Sequence, residues 1–426
     1  MTTATQQLAI LGGPKAISES NAAIVDWPII TDEDRHAMLE VIDRSAMSEW
    51  DVTQQFEREW AAYNGVEHAL SYPNGTQAIL GAMYAVGIGH GHEVIAPAYT
   101  FWASMAQLYS LGATPVFADV ERDSLCIDPD DIEHRITPRT KAIIVVHYNG
   151  HPADMDRIML IARKHGLAVV EDVSRAQGSR YKGRMCGSLG DAAGASMMTR
   201  KAFAVGEGGM LTTNNREALE RAIAFSLPAE HADDRTIETL RDMGDVPLSG
   251  LKARLNQVAA AMGRVQLKHY PDRIAEIQRA VGRFWDLLED VPGITPHRIA
   301  GEGSDMGGWF YPMAHYDADA LGGLPASRFV EAVAAEGAIV RGGIDRPQHL
   351  SPIFNTVDIY GHGKPTRLAY TDRDLRQLAG SLPVAEAVND RVINVPWFKR
   401  DSPEQIERQA AAYRKVARQS AQLFAG

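Results

Sequence analysis

Between residues 68 and 213, short apolar runs alternate with segments of helical period. Seven runs read as strands: 69–72, 93–96, 115–119, 141–147, 167–171, 193–197 and 209–213. Several are β-branched and apolar at successive positions, the pattern of strands covered on both faces. Between the fourth and fifth runs, 153–165 sets Met155, Ile158, Met159 and Ala162 at helical spacing. A helix joining two such strands is a βαβ unit. The pattern therefore predicts an α/β lobe, a mainly parallel seven-stranded sheet flanked by helices.

The character changes after about residue 265. Residues 274–288 keep helical period, and a glycine- and proline-rich region follows (Pro292, Gly293, Gly301, Gly303, Gly307, Gly308). A last helix is expected after Ser402, with Pro403 at its first position and Gln405 completing a capping box. Ile406, Tyr413, Ala417 and Phe424 fall roughly along one face of it. The expected organisation is an N-terminal arm (1–20), a large α/β domain (21–265) and a smaller α+β C-terminal lobe (266–426). A length of 426 residues suits two lobes better than one core.

Composition narrows the function. The chain is 45% hydrophobic and 23% charged, with a formal net charge of −11. That balance argues against nucleic acid or an anionic membrane as the main partner. Two cysteines, Cys126 and Cys186, exclude a cysteine-rich metal site and argue against a disulfide framework. Neither a signal-peptide pattern nor an apolar run of membrane-spanning length is present, so the expectation is a cytoplasmic protein.

Three stretches could carry chemistry. Asn74-Gly75-Thr76-Gln77 follows a strand and opens a helix, where outward N–H groups bind phosphate; it could equally be a plain turn. Val169-Val170-Glu171-Asp172 ends a strand in two acids, where open α/β sheets place ligands; a helix cap or a metal ligand is the plainer reading. Ser196 is followed by a loop with Lys201 and then Gly206-Glu207-Gly208-Gly209. A loop lysine is usually solvated, but this one lies among small and apolar residues. Burial there would lower its pKa, as a nucleophilic amine requires.

Together these blocks resemble the DegT/DnrJ/EryC1/StrS family of sugar and cyclitol aminotransferases, which are fold-type I enzymes dependent on pyridoxal 5′-phosphate (PLP). The likeness runs from Leu8 to the final helix. It includes Phe56-Glu57, Asn74-Gly75-Thr76, the stretch 97–101 ending in Phe101, the stretch 147–156, Glu171-Asp172, Gly190-Asp191, Lys201 with 206–209, and 250–266. The resemblance implies Lys201 as the Schiff-base lysine and Asp172 as the partner of the cofactor's ring nitrogen. It implies Phe101 as the residue stacked on the ring, with Gly75, Thr76 and Ser196 as the phosphate cup. Lys252 stands where many relatives have an asparagine that reaches the neighbouring subunit's phosphate, which implies a homodimer with shared active sites. Arg175 stands where relatives have Gln or His near the cofactor's phenolic oxygen. A cation there would favour the phenolate, unless Arg175 contacts substrate instead.

The opening Leu-Gly-Gly-Pro and the Ser-Met before the lysine look most like the cyclitol branch, which includes glutamine:scyllo-inosose aminotransferases and aminohydroxybenzoate synthases. Amino transfer from L-glutamine or L-glutamate to a keto-cyclitol or keto-sugar is thus expected. Nucleotide-sugar amination, a different PLP reaction such as dehydration or aromatisation, and a non-catalytic scaffold are the rivals. His147, Tyr148 and Trp309 are candidate substrate contacts, against the plainer reading of Trp309-Phe310-Tyr311 as core. His90-Gly91-His92-Glu93 reads as a turn rather than a metal site.

Overall fold

The computed structural model describes residues 7–19, 22–227, 231, 236–299, 301, 303–365 and 373–424. Its nine strands up to residue 213 are β1 (His68–Tyr72), β2 (Glu93–Pro97), β3 (Thr114–Ala118), β4 (Thr140–Val146), β5 (Ala168–Asp172), the short pair β6 (Arg180–Tyr181) and β7 (Arg184–Met185), β8 (Ala192–Ser196) and β9 (Gly209–Thr213). Seven of them form one sheet in the order β1-β9-β8-β5-β4-β2-β3. The seven expected runs match these strands to within one residue at each end.

β9 runs antiparallel to both of its neighbours, and every other pairing is parallel. The remaining strands, β1 among them, therefore end on one edge of the sheet. Every residue of β2, β3 and β9 is buried, as the apolar runs require of strands covered on both faces. The crossover helix Met155–His165 starts at Asp154, whose side chain accepts from Arg157 N–H. It stops at Gly166, in the left-handed conformation with φ +65°.

The helix Gly75–Ala85 packs so closely on β8 that Gly194 cannot carry a side chain without displacement. A Cβ there would lie 2.6 Å from Ile79 Cγ1 and 2.9 Å from the Ile79 backbone. That close approach holds the helix start against the end of β8.

The C-terminal part is built on an antiparallel sheet of β10 (Ile294–Pro296), β11 (Met313–Tyr316) and β12 (Val392–Asn394), with the helices Ala326–Ala335 and Pro403–Arg418. The helix expected at 274–288 is the second half of a longer one, Gln257–Leu288, which continues through Pro271. Buried Val265, Leu267, Tyr270, Ile274 and Ile277 hold it on both sides of the proline, so packing outweighs the lost hydrogen bond. The expected boundary at 265/266 thus falls inside a continuous helix.

Residues near the N-terminus lie against the C-terminal part. Buried Glu336 accepts from Ala9 N–H (2.8 Å), Ala16 N–H (2.9 Å) and Lys415 Nζ (2.8 Å). At the final helix two details differ from expectation. Ser402 makes no capping hydrogen bond through its side chain. Phe424 lies past the helix end, in the turn Ser420–Phe424, and is exposed, because the helical stripe stops at Arg418. His90 to Glu93 form the turn into β2, with Gly91 at φ +78°. Among the described residues no helix is long and apolar enough to cross a membrane.

Gly194→Ala is expected to lower stability by about 1–3 kcal/mol, the usual cost of overpacking. An unchanged thermal unfolding midpoint would show that the helix can move off the sheet without loss.

Candidate active site

The parallel strands deliver the expected residues to their shared edge. Asp172 is the last residue of β5 and Ser196 the last of β8, while β1 leads through Asn74 into the helix that starts at Gly75. Successive strand residues point to opposite faces, so Glu171 and Asp172 diverge.

Glu171 turns inward to a fully buried cluster. It accepts from His147 Nε2 (2.8 Å) and from the N–H groups of Gly187, Leu189 and Gly190 (2.7–2.8 Å). Burial alone would raise its pKa; the His147 hydrogen bond and charge and the backbone donors hold it below the usual range instead. His147 Nδ1 meanwhile accepts from Ala153 N–H (3.0 Å). Both of its ring nitrogens are occupied and its side chain is unexposed. His147 is therefore a positioning residue beneath the site and not the substrate contact its place at a strand end suggested.

Asp172 turns to the site. Oδ2 accepts from Ser104 Oγ (2.6 Å) and Oδ1 from Ser174 N–H (2.9 Å). Ser174 Oγ in turn accepts from Ser196 N–H (3.0 Å), which links the acid to the end of β8. Ser196 and Gly75 all but touch: a Cβ on Gly75 would lie 2.4 Å from Ser196 Cβ. Asn74 caps the helix by accepting from Gln77 N–H (2.9 Å), and half-exposed Thr76 follows Gly75 in its first turn. A helix start with early N–H groups beside a serine hydroxyl is a phosphate cradle. Ser104 and Ser174 were missed in the sequence, where isolated serines carry no signal; the strand-end geometry reveals them.

Phe101 is exposed at the start of the 3-10 turn Trp102–Ser104, which carries Ser104 to Asp172. Its ring is tilted against Trp102, with centroids 5.1 Å apart. An aromatic face left open three residues from the Asp172 contact suits a planar ring.

Lys201 sits in the turn joining β8 and β9. Its N–H donates to Met198 O (2.8 Å), and its carbonyl accepts from the Trp27 indole (2.8 Å). The amine lies 4.2 Å from the centre of the Phe310 ring. Burial first, then the Arg175 charge, lower its pKa to about 7, with Asp172 and Asp345 opposing. Of the aromatic run 309–311, it is Phe310 that meets the lysine. Trp309 is buried and held at φ +51°, so the core reading applies to it rather than substrate contact.

Arg175 is buried, and its charge is paired. Nη1 donates to Asp345 Oδ2 (2.6 Å) and Asn149 Oδ1 (3.0 Å), and Nη2 to Asp345 Oδ1 (3.1 Å). The guanidinium stacks over Tyr148 (4.9 Å) and Phe310 (5.3 Å). Tyr148 Oη donates to the same Asp345 carboxylate (2.8 Å), so the tyrosine orients this pair and is itself buried. Asp345 comes from a distant glycine-rich stretch, and nothing local in the sequence marks it. Lys252 stands on an exposed loop, away from this cluster's hydrogen bonds.

Lys201, Asp172, the Gly75–Ser196 cradle and the open Phe101 face fit PLP: an amine, a ring-nitrogen acid, a phosphate seat and a stacking surface. With the sheet order, they fit a fold-type I enzyme that depends on PLP. The comparisons agree. The DegT/DnrJ/EryC1/StrS aminotransferase family matches residues 28–414, and the chain belongs to that family. It is 33% identical to the spore coat polysaccharide biosynthesis protein SpsC of Bacillus subtilis (85% of this chain, 92% of that protein). It is 32% identical to a putative L-glutamine:3-amino-2,3-dideoxy-scyllo-inosose aminotransferase of Micromonospora echinospora (90% of each chain). The solved structure of DesI in the presence of its TDP-sugar product matches with a TM-score of 0.74 and 29% identity over 98% of both chains.

A lysine poised near neutrality should set the pH at which cofactor-free enzyme captures PLP. The capture rate is expected to rise about tenfold per pH unit below about 7 and to level off above it. Arg175→Gln removes a cation that disfavours the ammonium, so the midpoint should move up; an unmoved midpoint would mean that Arg175 does not act on Lys201. Asp172→Asn should cut turnover by several powers of ten while leaving the yellow absorbance of bound cofactor, and near-normal turnover would remove its ring-nitrogen role.

Proposed function

We propose that the protein moves an amino group from L-glutamine or L-glutamate to a keto-cyclitol or keto-sugar in aminoglycoside-type secondary metabolism. The observation that carries this reading is the placement of Lys201, an enclosed amine whose pKa burial lowers to about 7, within electrostatic reach of Asp172 at the strand-end edge. When bound, PLP supplies an electrophilic carbonyl and an electron-accepting ring. Lys201 Nζ holds a proton loosely enough to take it from one carbon and return it to another at neutral pH. Asp172, fixed by Ser104 and Ser174, would hold the ring nitrogen of the bound cofactor. Gly75, Thr76 and Ser196 would seat its phosphate.

A keto-cyclitol is favoured by the Leu-Gly-Gly-Pro opening, the Ser-Met before the lysine, and likeness to the Micromonospora protein. The pairing of Arg175 with Asp345 also suits an uncharged polyol beside Lys201. Likeness to DesI and SpsC favours a keto-sugar as the second reading.

The active site is proposed to be shared across a homodimer. Lys252 is exposed within a loop that also exposes Val246, Leu248 and Leu251, an apolar surface that a second copy would cover while Lys252 reaches the partner's phosphate.

The deciding experiment is the donor half-reaction. Enzyme saturated with PLP is mixed with L-glutamine or, separately, L-glutamate, and its visible spectrum is followed. Loss of the yellow colour with release of the matching keto acid is the expected result. A protein that stays yellow with both donors would exclude them and move the weight to other PLP chemistry.

A further inference from the structure

A cavity of about 450 Å³ lies beside Lys201, between the N-terminal segment and the C-terminal part. Its walls include Trp27, Arg200, Arg341, Asn394, Trp397 and Lys399. Three of these carry basic side chains, and no acid is among the lining residues. Lys399 is 3% exposed, and its Nζ has no hydrogen-bond partner among the described residues. It rests over the rings of Trp27 (4.6 Å) and Trp397. A second buried polar atom on the wall, Asn394 Oδ1, is unpartnered as well.

Burying an amine without a partner is costly, and burial pushes Lys399 well below the usual lysine range. The catalytic chemistry makes no use of it. An anion entering the cavity would restore the ammonium, and the two indole faces would stabilise that charge further. Two of its lining residues adjoin the turn that carries the reacting lysine, Arg200 in sequence and Trp27 by a hydrogen bond. Trp27 donates to Lys201 O, and Tyr311 on the cavity wall follows Phe310, whose ring faces Lys201 Nζ.

We propose that this cavity is a subsite for an anionic group of a substrate, with Lys399 as the counter-charge and Arg200 and Arg341 at its exposed rim. Assigning the anion to a substrate rests on the function proposed above. The volume holds on the order of fifteen non-hydrogen atoms at the volume of one water each. That fits a five-carbon amino acid and is small for a whole nucleotide sugar, so the carboxylate of the amino donor is the favoured source and a phosphate the other.

The test is equilibrium binding to the PLP-loaded enzyme, by calorimetry and by the fluorescence of Trp27 and Trp397. The probes are glutarate, which has no amine to react, and inorganic pyrophosphate. Wild-type protein is expected to bind glutarate saturably. Lys399→Met should weaken that at least tenfold with the yellow absorbance retained, and Lys399→Arg should recover part of the loss. Preference for pyrophosphate with the same dependence on Lys399 would support the subsite and assign it to phosphate. Arg341→Gln, at an exposed position, decides the matter if the Lys399 variants do not fold; it should weaken binding several-fold. No binding of either probe, or binding indifferent to these variants, would overturn the proposal. Glutarate binding is read without turnover, so an enzyme that binds it yet rejects both donors would refute the proposed reaction and leave the subsite standing.

Discussion

The site depends on the last two residues of β5 pointing to opposite faces of the sheet. Glu171 takes four hydrogen bonds in a buried cluster, three from backbone N–H groups and one from His147. Hydrogen bonds to a charged group are worth about 1.5–3 kcal/mol each. They tie the 187–190 loop and the end of β4 to one point. With its neighbour locked in this way, Asp172 is delivered to the open edge with no freedom of register.

From that anchor the cofactor seat is a continuous chain of contacts. Asp172 holds Ser104 on one side and Ser174 on the other, Ser174 holds Ser196, and Ser196 abuts Gly75. The spacing between Asp172 and the helix start at Gly75 is thus set by hydrogen bonds and close packing at the strand ends. Glycine at 75 and 194 is a packing requirement here, since a Cβ at either position collides with its neighbour.

Lys201 answers to a different balance. Burial and the Arg175 cation favour the neutral amine; Asp172 and Asp345 favour the ammonium. Arg175 does not act as a bare cation, because Asp345 and Asn149 take its donors and Tyr148 and Phe310 cover its faces. The result is an amine near neutrality beside an arginine whose charge is already paired.

The sequence by itself determined the strands, their parallel sense and the ends on which Asp172, Ser196 and Gly75 lie, because apolar runs and βαβ spacing are local and periodic. The family likeness pointed to Lys201 on different grounds, as an expectation carried by its flanking blocks. Tertiary structure decided what depends on distance across the chain. It turned His147 and Trp309 inward, where Glu171 and the core claim them, and brought Phe310 to the lysine instead. It carried the 274–288 helix back to Gln257 through Pro271, by burial on both sides. It paired Arg175 with Asp345, 170 residues away, and enclosed Lys399 between Trp27 and Trp397. Charges and rings so far apart in the chain meet only in the packed tertiary structure, and no local pattern of residues encodes which of them will.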